Sequence, residues 1–146
     1  MKEFRIILRE FIDDDTRKRS VEEIAMDMGF KNRNILNSWM RGENIPRLYN
    51  AVRLANYYGC SLDYLFGRSQ DFGKPPFKDI APFVTQLRKM LKFKQIKQVT
   101  LMNDLNLTHG HLYNWFKPNA NPIMDSIIRL ADYFGVSLDF LVGREN

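Results

Sequence analysis

The stretch Arg53-Leu54-Ala55-Asn56-Tyr57-Tyr58-Gly59-Cys60-Ser61-Leu62-Asp63-Tyr64-Leu65-Phe66-Gly67-Arg68 recurs as Arg129-Leu130-Ala131-Asp132-Tyr133-Phe134-Gly135-Val136-Ser137-Leu138-Asp139-Phe140-Leu141-Val142-Gly143-Arg144, with eleven of 16 positions identical. At the same offset of 76, Leu36 pairs with Leu112, Trp39 with Trp115 and Pro46 with Pro122. Further upstream the offset becomes 77, so that Ile24, Met28 and Phe30 pair with Leu101, Leu105 and Leu107 and the first copy carries one extra residue between Phe30 and Trp39. Solenoid repeats have periods of about 20 to 50 residues and usually need at least three copies. Two copies this far apart are therefore two duplicated domains.

The seam falls where Gly73, Pro75 and Pro76 interrupt any helical pattern. This predicts a first domain over 1–69, a linker over 70–80 and a second domain over 81–146. Each domain is small enough to require a compact, mostly helical core with short loops. The 146 residues exclude a large multi-domain enzyme, and 45% apolar with 27% charged residues excludes a disordered tail. A net charge of +5 is compatible with an acidic partner such as nucleic acid. The single cysteine, Cys60, leaves no intramolecular disulfide and no cysteine-based zinc site. The N-terminus lacks the apolar stretch of an export signal, and no run approaches the roughly 18 apolar residues of a spanning helix, so the expected location is a reducing cytoplasm.

Apolar residues recur at three and four spacing in both halves. Phe4, Ile7, Leu8 and Phe11 line a first helix that Asp13-Asp14-Asp15 is expected to end. Ser20-Val21-Glu22-Glu23 reads as a capping box opening a second helix, which Gly29 closes. Ile35, Leu36 and Trp39 give a third helix with a thin apolar stripe and a wide polar face. Pro46 is expected to open a fourth, with Leu48, Ala51, Val52, Leu54 and Ala55 inward and Gly59 at its end; Ser61 caps a short fifth carrying Leu62 and Leu65. The second copy repeats the plan, with Pro82 at its start, Thr108 capping the third helix and Ser137 the fifth. The fold class is all-α, two tandem five-helix domains.

A capped second helix, a Gly-apolar turn, a third helix ending in Leu-x-x-Trp, then Leu-Ala-x-Tyr-Phe-Gly-Val-Ser-Leu-Asp-x-Leu-x-Gly-Arg resembles the Cro and lambda-repressor helix-turn-helix family, the XRE-like regulators. The resemblance covers nearly the whole chain, twice. It implies a sequence-specific double-stranded DNA-binding transcriptional regulator of the repressor type, bacterial or phage-encoded, cytoplasmic and nucleoid-associated. In that family the third helix enters the major groove. The resemblance places base or backbone contacts on Asn32, Arg33, Asn34, Asn37, Ser38 and Arg41 in the first copy. In the second it places them on Lys97, Gln98, Thr108, His109, His111, Asn114 and Lys117. Arg can pair with guanine O6 and N7, Asn with adenine N6 and N7, and Lys with phosphate. Arg88, Lys89, Lys92, Lys94 and Lys97 lie in a stretch with no acid between Asp79 and Asp104, beside the start of the second helix.

Two departures set the second copy apart. Pro118 replaces the glycine usual after the third helix, and Phe116 stands beside Tyr113 where the family carries a polar residue. The alternative reading is that Tyr113 and Phe116 form a protein interface, with the second copy a dimerisation or partner-binding module and the chain a homodimer. His109 and His111 are two apart, unlike the four-residue spacing of helical metal pairs, and no cofactor or metal is expected. Asp13-Asp14-Asp15 lacks the flanking ligands of a calcium loop. Cys60 aligns with Val136 and reads as a small buried side chain; Trp39 and Trp115 read as core anchors. Neither a phosphate-cradling glycine loop nor a nucleophile with matched base and acid occurs, so the chain does not read as an enzyme. No sensor domain is expected within these residues.

Overall fold

The computed structural model describes residues 3–16 and 18–145. The chain divides into two compact units, Met1–Pro75 and Pro76–Asn146. The described residues form ten α-helices, five in each unit.

In the first unit these are α1 (Phe4–Asp15), α2 (Val21–Asp27), α3 (Asn34–Met40), α4 (Leu48–Tyr58) and α5 (Leu62–Leu65). Phe4, Ile7, Leu8 and Ile12 fall at three and four spacing and bury one face of α1, which packs on α2, α3 and α5. Ile24, Leu36, Trp39, Leu48, Leu54, Leu62 and Leu65 complete the core. A fully buried aliphatic side chain contributes about 1.5–3 kcal/mol, so a handful of such residues suffices for a unit of this size. Phe4 stacks on Phe66 at 4.8 Å, and Trp39 takes Phe4 and Phe30 edge-on at 6.4 and 5.7 Å. A second aromatic cluster lies at the other end of α1: Phe11 stacks on Tyr58 at 4.4 Å and meets Tyr64 and Phe72.

The second unit holds α6 (Phe83–Lys94), α7 (Gln98–Asp104), α8 (His109–Trp115), α9 (Met124–Phe134) and α10 (Leu138–Val142). Phe83, Leu87 and Leu91 stand 79 residues after Phe4, Leu8 and Ile12 and bury the corresponding face of α6, which packs on α10. That register sets Met90 where the first unit has Phe11. Cys60 is fully buried, and Trp39 and Trp115 are buried in their respective cores.

Local signals act as expected at most helix ends. The Ser20, Thr108 and Ser137 hydroxyls accept from the backbone N–H of Glu23, His111 and Phe140. Gly59 and Gly135 end α4 and α9 in the left-handed region. Four details differ. Phe11, expected on the buried face of α1, is only half-buried among the rings of the second aromatic cluster, and Ile12 takes its place in the core. Asp13, Asp14 and Asp15 belong to the last turn of α1 instead of ending it, because Arg19 folds back to pair with Asp15 at 3.0 Å. Pro46 does not open α4; Arg47, in extended conformation, intervenes as the N-cap. Residues 70–80 are not a bare connection: the Ser61 N–H donates to the Phe72 carbonyl at 2.7 Å, and the Lys78 N–H to the Arg144 carbonyl at 2.8 Å. Each side of the seam is thus fastened to the end of its own unit.

Candidate nucleic-acid interface

Both units present a third helix held by its apolar side with its polar side outward. In α3 the buried residues are Leu36 and Trp39, while Arg33, Asn34 and Arg41 are exposed and Asn37 and Ser38 half-buried. In α8 Trp115 is buried, and His109, Gly110, His111, Tyr113, Asn114 and Lys117 are exposed.

The turn leading into this helix is set by backbone chemistry. Gly29 takes φ +95°, and its counterpart 77 residues on, Asn106, takes +53°. Asn is the non-glycine residue that enters this region most readily, which is why the second copy manages without a glycine. The extra residue of the first copy is Lys31: after it, the Asn32 side chain accepts the Asn34 N–H at 2.9 Å, as the Thr108 hydroxyl accepts the His111 N–H at 3.1 Å. Thr108 is the N-cap of α8, whereas Asn32 fixes the start of α3 from one residue before its N-cap, Arg33, which aligns with His109. Arg53 lies over Phe30 at 5.1 Å and Arg129 donates to the Leu105 carbonyl, so an arginine of the fourth helix braces the turn in both copies. A second brace repeats as well. The Tyr57 hydroxyl donates to Asp27 at 2.9 Å and that of Tyr133 to Asp104 at 2.5 Å, tying the end of the fourth helix to the end of the second. The Tyr57 hydroxyl, then Arg19, holds the Asp27 carboxyl below the usual carboxylate range.

The two polar faces differ in charge. Residues 80–124 carry six Lys and Arg and one acid, whereas residues 4–48 carry nine and eight. In the first unit many cations are engaged: Arg19 with Asp15 and Asp27, and Arg41 with Glu43 at 2.7 Å. The Arg41 guanidinium, with help from the Ser38 hydroxyl, keeps the Glu43 carboxyl below its ordinary value. Glu22 accepts the Arg33 backbone N–H at 3.1 Å. The counterparts of Glu22 and Glu43 are Val99 and Asn119. In the second unit Arg88, Lys89, Lys92, Lys94, Lys97 and Lys117 are all exposed. Lys97 and Gln98 stand at the N-cap and first residue of α7; the first-copy counterparts are Ser20 and Val21.

Tyr113 is 69% exposed and Phe116 half-buried, but neither ring is bare: Lys117 lies 4.9 Å from the first and Arg88 4.8 Å from the second. The sequence missed Arg53, Arg129, Glu22 and Glu43. Only the identical Arg of the two copies offered a signal.

Residues 14–65 match the helix-turn-helix family, and residues 83–146 match the bacteriophage CI repressor helix-turn-helix domain. No curated protein matches the chain. No solved structure matches it either. Both matched families are DNA-binding domains rather than enzymes, and no helix among the described residues is long and apolar enough to cross a membrane. The repeat, the ten helices and the two matches agree, and the chain is a tandem helix-turn-helix protein of the Cro and CI repressor type.

Proposed function

We propose that the protein is a sequence-specific double-stranded DNA-binding regulator that represses transcription, with α3 and α8 entering the major groove. The observation that carries this reading is the same in both units: a short third helix anchored by a buried tryptophan and presenting hydrogen-bonding side chains to solvent. Arg33, Asn34 and Asn37 have the donor and acceptor sets that distinguish guanine and adenine in the major groove. Lys97, Gln98, Asn114 and Lys117, with the α6 lysines, supply backbone contacts. His109 and His111 read bases from α8. The setting is the cytoplasm of a bacterium, or a phage-infected one, at the nucleoid.

Binding of the full chain to a random-sequence duplex pool, followed by selection, tests this. With about five phosphates neutralised, log K falls with log salt at a slope of roughly −4 to −5. Arg33→Ala then relaxes preference at one base position at a cost of about 1–3 kcal/mol, whereas Lys97→Ala weakens all sequences alike and flattens the slope by about one unit. Absence of binding at low salt, or equal loss on every sequence for both variants, defeats the reading.

The exposure of Tyr113 favours a second reading, in which α8 is a homodimer or partner contact. It predicts a dimer in light scattering and a palindromic site contacted by α3 alone. In the tandem reading the unequal readers Arg33-Asn34 and His109-Gly110 select two dissimilar half-sites.

A further inference from the structure

We propose that Glu43 is an electrostatic brake on DNA contact by the first unit, so that the second unit supplies most of the phosphate grip. This rests on the DNA-binding reading above and adds an unequal division of labour between two otherwise similar domains.

The geometry is specific to the first copy. Glu43 accepts from Arg41 Nε at 2.7 Å and Nη2 at 3.3 Å, and from the Ser38 hydroxyl at 3.2 Å. Arg41 and Ser38 are the polar groups at the end of α3 that would meet the sugar-phosphate backbone; Glu43 occupies the Arg41 guanidinium and shares the Ser38 hydroxyl with the Asn44 side chain, which lies at 3.0 Å. A phosphate approaching Arg41 must displace Glu43 or share the guanidinium with it. A carboxylate left within about 6 Å of a phosphate repels it in water by the equivalent of about a threefold loss in affinity. In the second unit Lys117 and Asn119 stand at the Arg41 and Glu43 positions, and no ion pair engages Lys117 among the described residues. Glu43 is not needed for the fold: both its side chain and that of Arg41 are more than half exposed, and exposed pairs of this kind stabilise little. The arrangement makes the second unit a salt-sensitive anchor on any duplex, while the first engages where base contacts from Arg33, Asn34 and Asn37 offset the brake.

The test is a double-mutant cycle in the full chain, with affinity for a random-sequence duplex of about 30 base pairs measured by fluorescence anisotropy across a salt series. Glu43→Gln is expected to raise affinity about threefold to tenfold and to steepen the salt slope by about one unit. Glu43→Asn, which copies the second unit, should do the same. Arg41→Gln should weaken binding severalfold more in the Glu43→Gln background than in the parent, because only there is the guanidinium released. An unchanged affinity and slope in both Glu43 variants, with thermal melts like the parent's, overturns the brake. So does a loss on Arg41→Gln that is equal in the two backgrounds. In either case salt-dependent binding by the parent leaves the DNA-binding reading standing, whereas no binding by the parent at low salt defeats both.

Discussion

Asp139→Asn is expected to destabilise the second unit strongly. The Arg144 side chain is fully buried, the Asp139 side chain is 6% exposed, and the two pair at 2.9 Å. The guanidinium lies 3.8 Å from the Phe77 ring centroid. The Asp139 carbonyl also accepts the Arg144 N–H, and the Arg144 carbonyl accepts the Lys78 N–H. Neutralising Asp139 removes a carboxylate paired with a buried cation, which destabilises by about 3–5 kcal/mol. A unit of about 70 residues has roughly 4–10 kcal/mol in all, so this is from about a third to all of its stability. The one tryptophan in each unit makes the effect separable. In a Trp39→Phe background, Trp115 emission reports the second unit alone, and with a urea slope of about 1 kcal/mol/M the midpoint should fall by about 3 M. Asp139→Leu with Arg144→Met removes both charges and should recover most of the loss, since a buried pair is often replaceable by apolar residues of similar volume. The equivalent pair in the first unit, Asp63 and Arg68, is 13% and 21% exposed, so Asp63→Asn should cost less. A midpoint shift under about 0.5 M for Asp139→Asn, or a double variant no better than the single one, would refute the argument.

Two further outcomes follow from local features. Asn106→Gly should stabilise the second unit slightly and Asn106→Ala should destabilise it by about 1 kcal/mol, because the residue has φ +53°; chemical denaturation of the two variants gives the sign, and equal effects would count against it. The Asp27 carboxyl is held down by Tyr57 and then Arg19, so its contribution is present above the ordinary carboxylate range and is lost as pH falls through its lowered value. Asp27→Asn should therefore reduce stability at neutral pH and make the acid limb of a melting-temperature profile shallower; an unchanged limb would contradict this.

The fold was legible because its signals are either periodic or local. The buried faces of α1 and α4 follow from helical spacing, and the caps at Ser20, Thr108 and Ser137 are satisfied within three residues along the chain. What the sequence misplaced depends on longer reach. The Asp13–Asp15 run stays helical because Arg19 and its partners close over it, and Pro46 stands one residue further out than its helix-opening habit suggests because Arg47 is extended. Asn106 gave little warning, since asparagine at positive φ is less frequent than glycine. At the interface, the alternation of buried and exposed positions on α3 and α8 was readable from the stripe of Leu36, Trp39 and Trp115. The pairing of Arg41 with Glu43 was not, because a two-residue spacing brings side chains together only where the chain leaves the helix, and the loop geometry decides it.

The ring cluster of Phe11, Tyr58, Tyr64 and Phe72 has a consequence for biogenesis. Tandem domains of similar sequence are prone to cross-pairing, in which a segment of one docks into the nascent core of the other. The α4–α5 segment and the α9–α10 segment are similar enough to compete for the same partner helix. The cluster separates them, for a stray α4–α5 segment arriving on α6 finds Met90 in place of Phe11 and loses the 4.4 Å stack on Tyr58. If aromatic identity at this end of the first helix selects the partner, Phe11→Met should lower refolding yield from denaturant more than it lowers native stability, and equal losses would count against it.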